Sequence, residues 1–89
     1  MSVPPPTITV YGTPTCADCR RSTAVLNAAG VPYEWVDMST DADATAFVLA
    51  QSGRTSTPYI VFPDGTSVTD PSDAQLRDRL RELGLPDGS

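Results

Sequence analysis

The chain has 89 residues, a hydrophobic fraction of 39% and a formal net charge of −5, with arginine as its only basic residue type. That is enough apolar material for one small core and too little for a second domain. An acidic chain without a basic run is a poor ligand for nucleic acid or an anionic membrane, and no stretch approaches the roughly twenty apolar residues of a membrane span.

Residues 1–6 read as a flexible, proline-rich lead. They lack the basic start and apolar centre of a secretion signal, so the expected location is the cytoplasm. The segment from Thr7 to Tyr11 alternates and is β-branched, which predicts a strand ended by Gly12. From Ala17 the period becomes helical: Ser22, Val25, Leu26 and Ala29 form a core-facing stripe, and Gly30 supplies the stop. Tyr33 to Asp37 predicts a second strand. Thr40 to Asp43 is a helix-start signal, leading into a helix that carries Ala44, Phe47 and Val48 on one face and stops near Gly53.

A third strand is predicted from Thr57 to Phe62. Pro63 to Thr66 is a turn, and Ser67 to Thr69 is a short return strand. Asp70 to Asp73 opens the last helix with Pro71 at its first position, Leu76, Leu80 and Leu83 on the buried side and Gly84 at the end. The order is β-α-β-α-β-β-α. Two helix-linked parallel strands and an antiparallel hairpin give one α/β domain over residues 7–84, a four-stranded mixed sheet flanked by three helices. Residues 85–89 are left as a C-terminal tail.

Histidine is absent, which removes the commonest general base and metal ligand and excludes Ser-His-Asp or Cys-His catalysis. The two cysteines, Cys16 and Cys19, stand two residues apart at a strand-to-helix junction. A structural disulfide is disfavoured in a reducing compartment, and so short a loop adds little stability. Zinc normally needs four ligands, and this chain has two thiols to offer, so no metal site is expected. The remaining reading is dithiol exchange. The first-turn N–H groups and helix dipole favour a thiolate at Cys16, while Cys19, one turn later, faces inward. Asp18 should partly oppose this activation, and Arg20 is spaced to reach back along the helix and offset it. Pro58, after Arg54-Thr55-Ser56-Thr57, reads from its local context as an ordinary trans proline opening a strand.

The strand Ile8-Thr9-Val10-Tyr11, the Cys16-Ala17-Asp18-Cys19 motif, Thr57-Pro58, Asp64-Gly65 and Thr69-Asp70-Pro71-Ser72 together resemble the glutaredoxin family, from about Thr7 to Leu83. Within it the chain is most similar to the actinobacterial mycoredoxins, on Phe47-Val48, Arg54-Thr55 and Phe62-Pro63-Asp64-Gly65. The resemblance implies a thioredoxin-like fold with Pro58 in the cis form beside Cys16. It implies Cys16 as nucleophile and Cys19 as resolving thiol, both catalytic. Substrate contacts would come from Thr15, Ala17, Arg54, Thr57, Pro58, Thr69 and Asp70, with Thr57 offering its backbone.

No lysine precedes the cysteine motif, and Val68-Thr69 stands where glutathione-using members carry a glycine pair. An uncharged sugar thiol such as mycothiol therefore suits the chain better than anionic glutathione. The expected activity is reduction of mixed disulfides between proteins and that low-molecular-weight thiol, which acts as co-substrate with no bound cofactor. The implied partners are the thiol, oxidised or thiolated proteins and an upstream flavin disulfide reductase. The expected form is a monomer that binds neither nucleic acid nor membrane. Two alternatives remain: a dithiol donor to ribonucleotide reductase recycled by thioredoxin reductase, and a non-catalytic thioredoxin-like binding module.

Overall fold

Alternation of burial along Ile8–Gly12 makes β1 the hub of the sheet, with Ile8, Val10 and Gly12 buried and Thr9 and Tyr11 partly so. The computed structural model describes residues 7–88, so the proposed flexible lead at 1–6 lies outside the described residues. The chain continues through α1 (Ala17–Ala29), β2 (Tyr33–Asp37), α2 (Ala42–Ser52), β3 (Tyr59–Val61), β4 (Ser67–Thr69) and α3 (Asp73–Glu82). The order is the β-α-β-α-β-β-α expected from the pattern.

The sheet runs β2-β1-β3-β4. β1 pairs parallel with β2, as a helical crossover requires, and antiparallel with β3, which forms the hairpin with β4. Because side chains alternate, the strands serve two cores. On one face Ile8, Val10, Ile60 and Phe62 pack against Val25 and Leu26 of α1 and Leu76 and Leu80 of α3. On the other, Tyr59 and the partly buried Tyr11, Val36 and Val61 pack against Ala44 and Val48 of α2. This is a thioredoxin-like fold.

Local chemistry explains the helix ends. Asp41 caps α2 by accepting from the Ala44 N–H at 3.0 Å. α1 and α2 both stop at glycines in the left-handed region, Gly30 at φ 72° and Gly53 at φ 79°. Ser72 and Gln75 form a reciprocal capping box at the start of α3.

Four local expectations shift. Pro71 is not the first residue of the last helix: Ser72 caps it, and Pro71 lies buried just outside. Phe47 does not join the core line of α2; it is 40% exposed and leans on Tyr11, ring centroids 5.4 Å apart. The reason is angular, since Ala44 and Val48 are one turn apart and Phe47 points about 100° away from Val48. The third strand begins at Tyr59, not Thr57, because the residues before it form the loop that faces the cysteines. Residues after Gly84 fold back: the Leu85 N–H donates to Leu80 O at 2.8 Å, Leu85 packs on the larger core, and Asp87 pairs with Arg81 at 2.6 Å.

Candidate active site

Cys16 is the N-cap of α1, with extended backbone at φ −81° and ψ 110°. At this position a side chain accepts from a free first-turn amide, and the Cys16 sulfur does so from the Cys19 N–H at 3.0 Å. A second donor arrives from the far end of the sequence: the Thr57 hydroxyl lies 3.4 Å from the same sulfur. Both cysteines are free thiols.

The two sulfurs differ in environment. Cys16 is partly exposed, whereas Cys19 is 1% exposed. Partial burial works to raise the Cys16 pKa. The Cys19 thiol, the Thr57 hydroxyl and the Cys19 amide outweigh it, so the net direction is down. Asp18 acts the other way, as its charge requires, and is the smallest contributor. Burial pushes Cys19 up to about 11, reinforced by its hydrogen bond to Cys16. A partly exposed thiol with a lowered pKa beside a sheltered thiol with a raised one is the arrangement disulfide exchange uses.

The Thr57–Pro58 bond is cis, contrary to the trans form read from its local context and in line with what the resemblance implied. Pro58 is buried, and its carbonyl accepts from the Asp70 N–H at 2.8 Å, which ties the loop to the approach to α3. Asp70 makes this bond with φ at 47°, a left-handed conformation that aspartate tolerates better than most residues. Thr69 joins the same cluster through its ladder pairing with Tyr59.

Cys16, Cys19, Thr57, Pro58, Thr69 and Asp70 are thus linked through these contacts. Thr15 and Ala17 flank Cys16 and are exposed. Arg54 is exposed just after α2, its carbonyl accepting from Ser52 Oγ at 2.7 Å. A groove of about 440 Å³ runs along α3, lined by Val68, Thr69, Pro71, Gln75 and Arg79 among others; of the site cluster it includes only Thr69. Arg20 reaches back as its spacing suggested, but to the Pro14 carbonyl at 2.9 Å, not to the sulfur. Arg21 pairs with Asp18.

Two neighbours of Cys19 carried no signal in the pattern. A Cβ on Gly12 would stand 2.5 Å from Cys19 Sγ and 2.8 Å from Cη2 of Trp35. The pattern marks Gly12 only as the end of a strand, and Trp35 only as a strand residue.

The glutaredoxin family profile matches residues 8–68, which span β1, the cysteine motif, the cis-proline loop and the hairpin. The chain belongs to the glutaredoxin family. A Mycobacterium tuberculosis (strain H37Rv) protein described as a glutaredoxin is 32% identical over 77 residues, 85% of this chain and 92% of the relative. Among solved structures, a glutaredoxin from Archaeoglobus fulgidus superposes with a TM-score of 0.74 at 25% identity, over 83% of this chain and 85% of the other. A crystallised thioredoxin-like protein gives 0.69 at 31% identity, over 86% and 99%. As a glutaredoxin, the protein is a thiol–disulfide oxidoreductase, and no helix among the described residues is long and apolar enough to cross a membrane.

Proposed function

We propose that this glutaredoxin reduces mixed disulfides between proteins and an uncharged low-molecular-weight thiol, with mycothiol the best chemical fit. The observation that carries the reading is the Cys16 sulfur, partly exposed and held by the Cys19 amide and the Thr57 hydroxyl, with a buried thiol one turn away. The choice of thiol rests on charge. The chain has no lysine, Arg21 beside the motif pairs with Asp18, and Arg20 donates to Pro14 O, which leaves the exposed Arg54 as the cation ahead of the cis-proline loop. An anionic tripeptide would find few free cations there, whereas a sugar thiol needs none.

In the first step the Cys16 thiolate attacks the small-thiol sulfur of the mixed disulfide. The Cys16–S bond forms, the protein's S–S bond breaks, and the client leaves as a thiolate that takes a proton from water. A second small thiol then attacks the adduct and leaves as the symmetric disulfide, returning Cys16. Alternatively, Cys19 attacks Cys16 and expels the small thiol, storing the oxidising equivalents as a Cys16–Cys19 disulfide. Two electrons pass from thiols to the client either way, and no bound cofactor takes part. Thr57, Pro58, Thr69 and Asp70 would border the bound thiol, with Thr15, Ala17 and Arg54 at the rim. On this reading the protein works as a cytoplasmic monomer supplied by a flavin disulfide reductase.

The test is mass spectrometry of the protein after incubation with glutathione and mycothiol disulfides, paired with turnover of Cys16→Ser and Cys19→Ser proteins. The expected results are a mycothiol adduct on Cys16, no reduction by Cys16→Ser, and a surviving monothiol route in Cys19→Ser. Reduction by Cys16→Ser would sink the assignment. NADPH consumption with thioredoxin reductase alone, and none with mycothiol and its reductase, would replace it with a dithiol electron donor.

A further inference from the structure

We propose that Gly12 and Trp35 together form the seat of the Cys19 thiol, and that Trp35 is a positioning residue controlling how readily the Cys16–Cys19 disulfide forms. The seat follows from register. β1 and β2 pair Val10 with Trp35 and Gly12 with Asp37, so Trp35 shares a pleat face with Val10 and Gly12. That face is the one packed by α1, which carries Cys19. From the edge strand the indole reaches across the end of β1. Its Cη2 and Cζ3 atoms stand 2.8 and 3.1 Å from the point where a Cβ on Gly12 would lie, and Cys19 Sγ stands 2.5 Å from that same point.

Sulfur and ring edge therefore border the same small space, which only a glycine leaves open. Sulfur against an aromatic edge is itself a favourable contact. The indole keeps 40% of its surface in solvent while the sulfur behind it keeps 1% of its own. Trp35 is the outer wall of the seat.

The wall has a chemical consequence. Burial is the main reason the Cys19 thiol resists ionisation until about pH 11, and the charge acting on it is that of Cys16 on the same helix. Each unit above the ordinary cysteine value lowers the thiolate fraction about tenfold at neutral pH. Cys19 thus stays a thiol while Cys16 attacks. In resolution Cys19 gives its proton to water and bonds to the Cys16 sulfur. The Cys16 bond to the small thiol breaks, and that thiol leaves as a thiolate that is reprotonated. A looser seat would speed this closure and divert turnover from the second small thiol.

The resolving role rests on the exchange reading above, but the seat does not, and its test uses no substrate. In a Cys16→Ser background, the rate of Cys19 alkylation by iodoacetamide is measured against pH for Trp35, Trp35→Phe and Trp35→Ala proteins. The expected result is a rise of about tenfold or more at neutral pH for Trp35→Ala, with the pH midpoint moved down. Trp35→Phe should return most of the protection. Equal rates and midpoints in Trp35 and Trp35→Ala proteins of intact circular dichroism overturn the proposal. A second measurement needs no substitution: emission from Trp35, the chain's one tryptophan, should differ between dithiol and disulfide forms. An unchanged spectrum overturns the contact as well. Absence of any adduct or turnover in the protein with both cysteines, with Cys19 protection intact, would instead refute the exchange reading and leave the seat standing.

Discussion

The Cys16 sulfur accepts from the Cys19 amide and the Thr57 hydroxyl, and the Cys19 thiol beside it is buried. The Thr57 hydroxyl is the donor that a substitution can remove cleanly, because valine keeps its shape. Thr57→Val should raise the Cys16 pKa toward the ordinary thiol range. A neutral hydrogen bond contributes about 0.5–1.5 kcal/mol, so Cys16 alkylation at neutral pH should slow by about 2- to 10-fold, with Thr57→Ser close to the parent. The sign follows from the thiolate being the reactive form. A pKa held low by hydrogen bonds keeps Cys16 reactive below the pH at which a free thiol loses its thiolate, and Thr57→Val moves that fall-off upward. A pH–rate profile of alkylation in a Cys19→Ser background reads both effects. An unchanged midpoint would show that the Thr57 hydroxyl does not help to hold the Cys16 pKa down.

Each element that meets at the cysteines is held at its end by a local device. α3 is the clearest case. The Gln75 N–H donates to Ser72 Oγ at 3.1 Å, and the Ser72 N–H donates to Gln75 Oε1 at 2.9 Å. Two residues earlier, Asp70 N–H holds the cis-proline carbonyl, so the start of α3 also steadies the loop carrying Thr57. Ser72→Ala should cost about 1 kcal/mol and lower Tm by about 4–8 °C in a domain of this size, while Ser72→Asp should keep most of the cap. Thermal melts followed by circular dichroism separate the two. The β3–β4 turn is closed similarly, with Asp64 accepting from the Thr66 N–H at 3.0 Å and its hydroxyl at 2.6 Å. That bonding draws the Asp64 carboxyl below its usual range.

Stability as a whole is unevenly shared between the two faces of the sheet. The face under α1 and α3 carries the larger cluster, in which Leu26, Leu76 and Leu80 have no exposed surface. Leu80→Ala would remove a buried side chain and leave a cavity, at a cost of about 2–5 kcal/mol. Small domains have only about 5–15 kcal/mol in total, so the urea midpoint should fall by a large fraction with little change in slope. A loss below about 1 kcal/mol would show that this side of the core collapses freely around the gap. The site spans both layers: Cys16 and Cys19 begin the helix on the larger face, while Thr57 comes from the loop entering the central strand β3.

Features written in neighbouring residues are legible from the amino-acid order alone. Alternation over Ile8–Tyr11, the helical stripe ending at Gly30, the helix-start signal from Thr40 to Asp43 and the three-residue step from Cys16 to Cys19 all act within one turn or one strand. The same step puts Cys16 at the exposed helix start and Cys19 inside, so the asymmetry of the pair can be read directly. The family resemblance supplied the cis proline, which no local pattern could. Only tertiary structure brought Thr57 to Cys16 across 41 positions, set Trp35 against Cys19 over Gly12, and turned Phe47 away from the core. Those contacts depend on how strands register and how helices lie on the sheet, and side-chain period carries no information about either. Sequence alone singled out Cys16 as the residue expected to attack; packing decided what surrounds it.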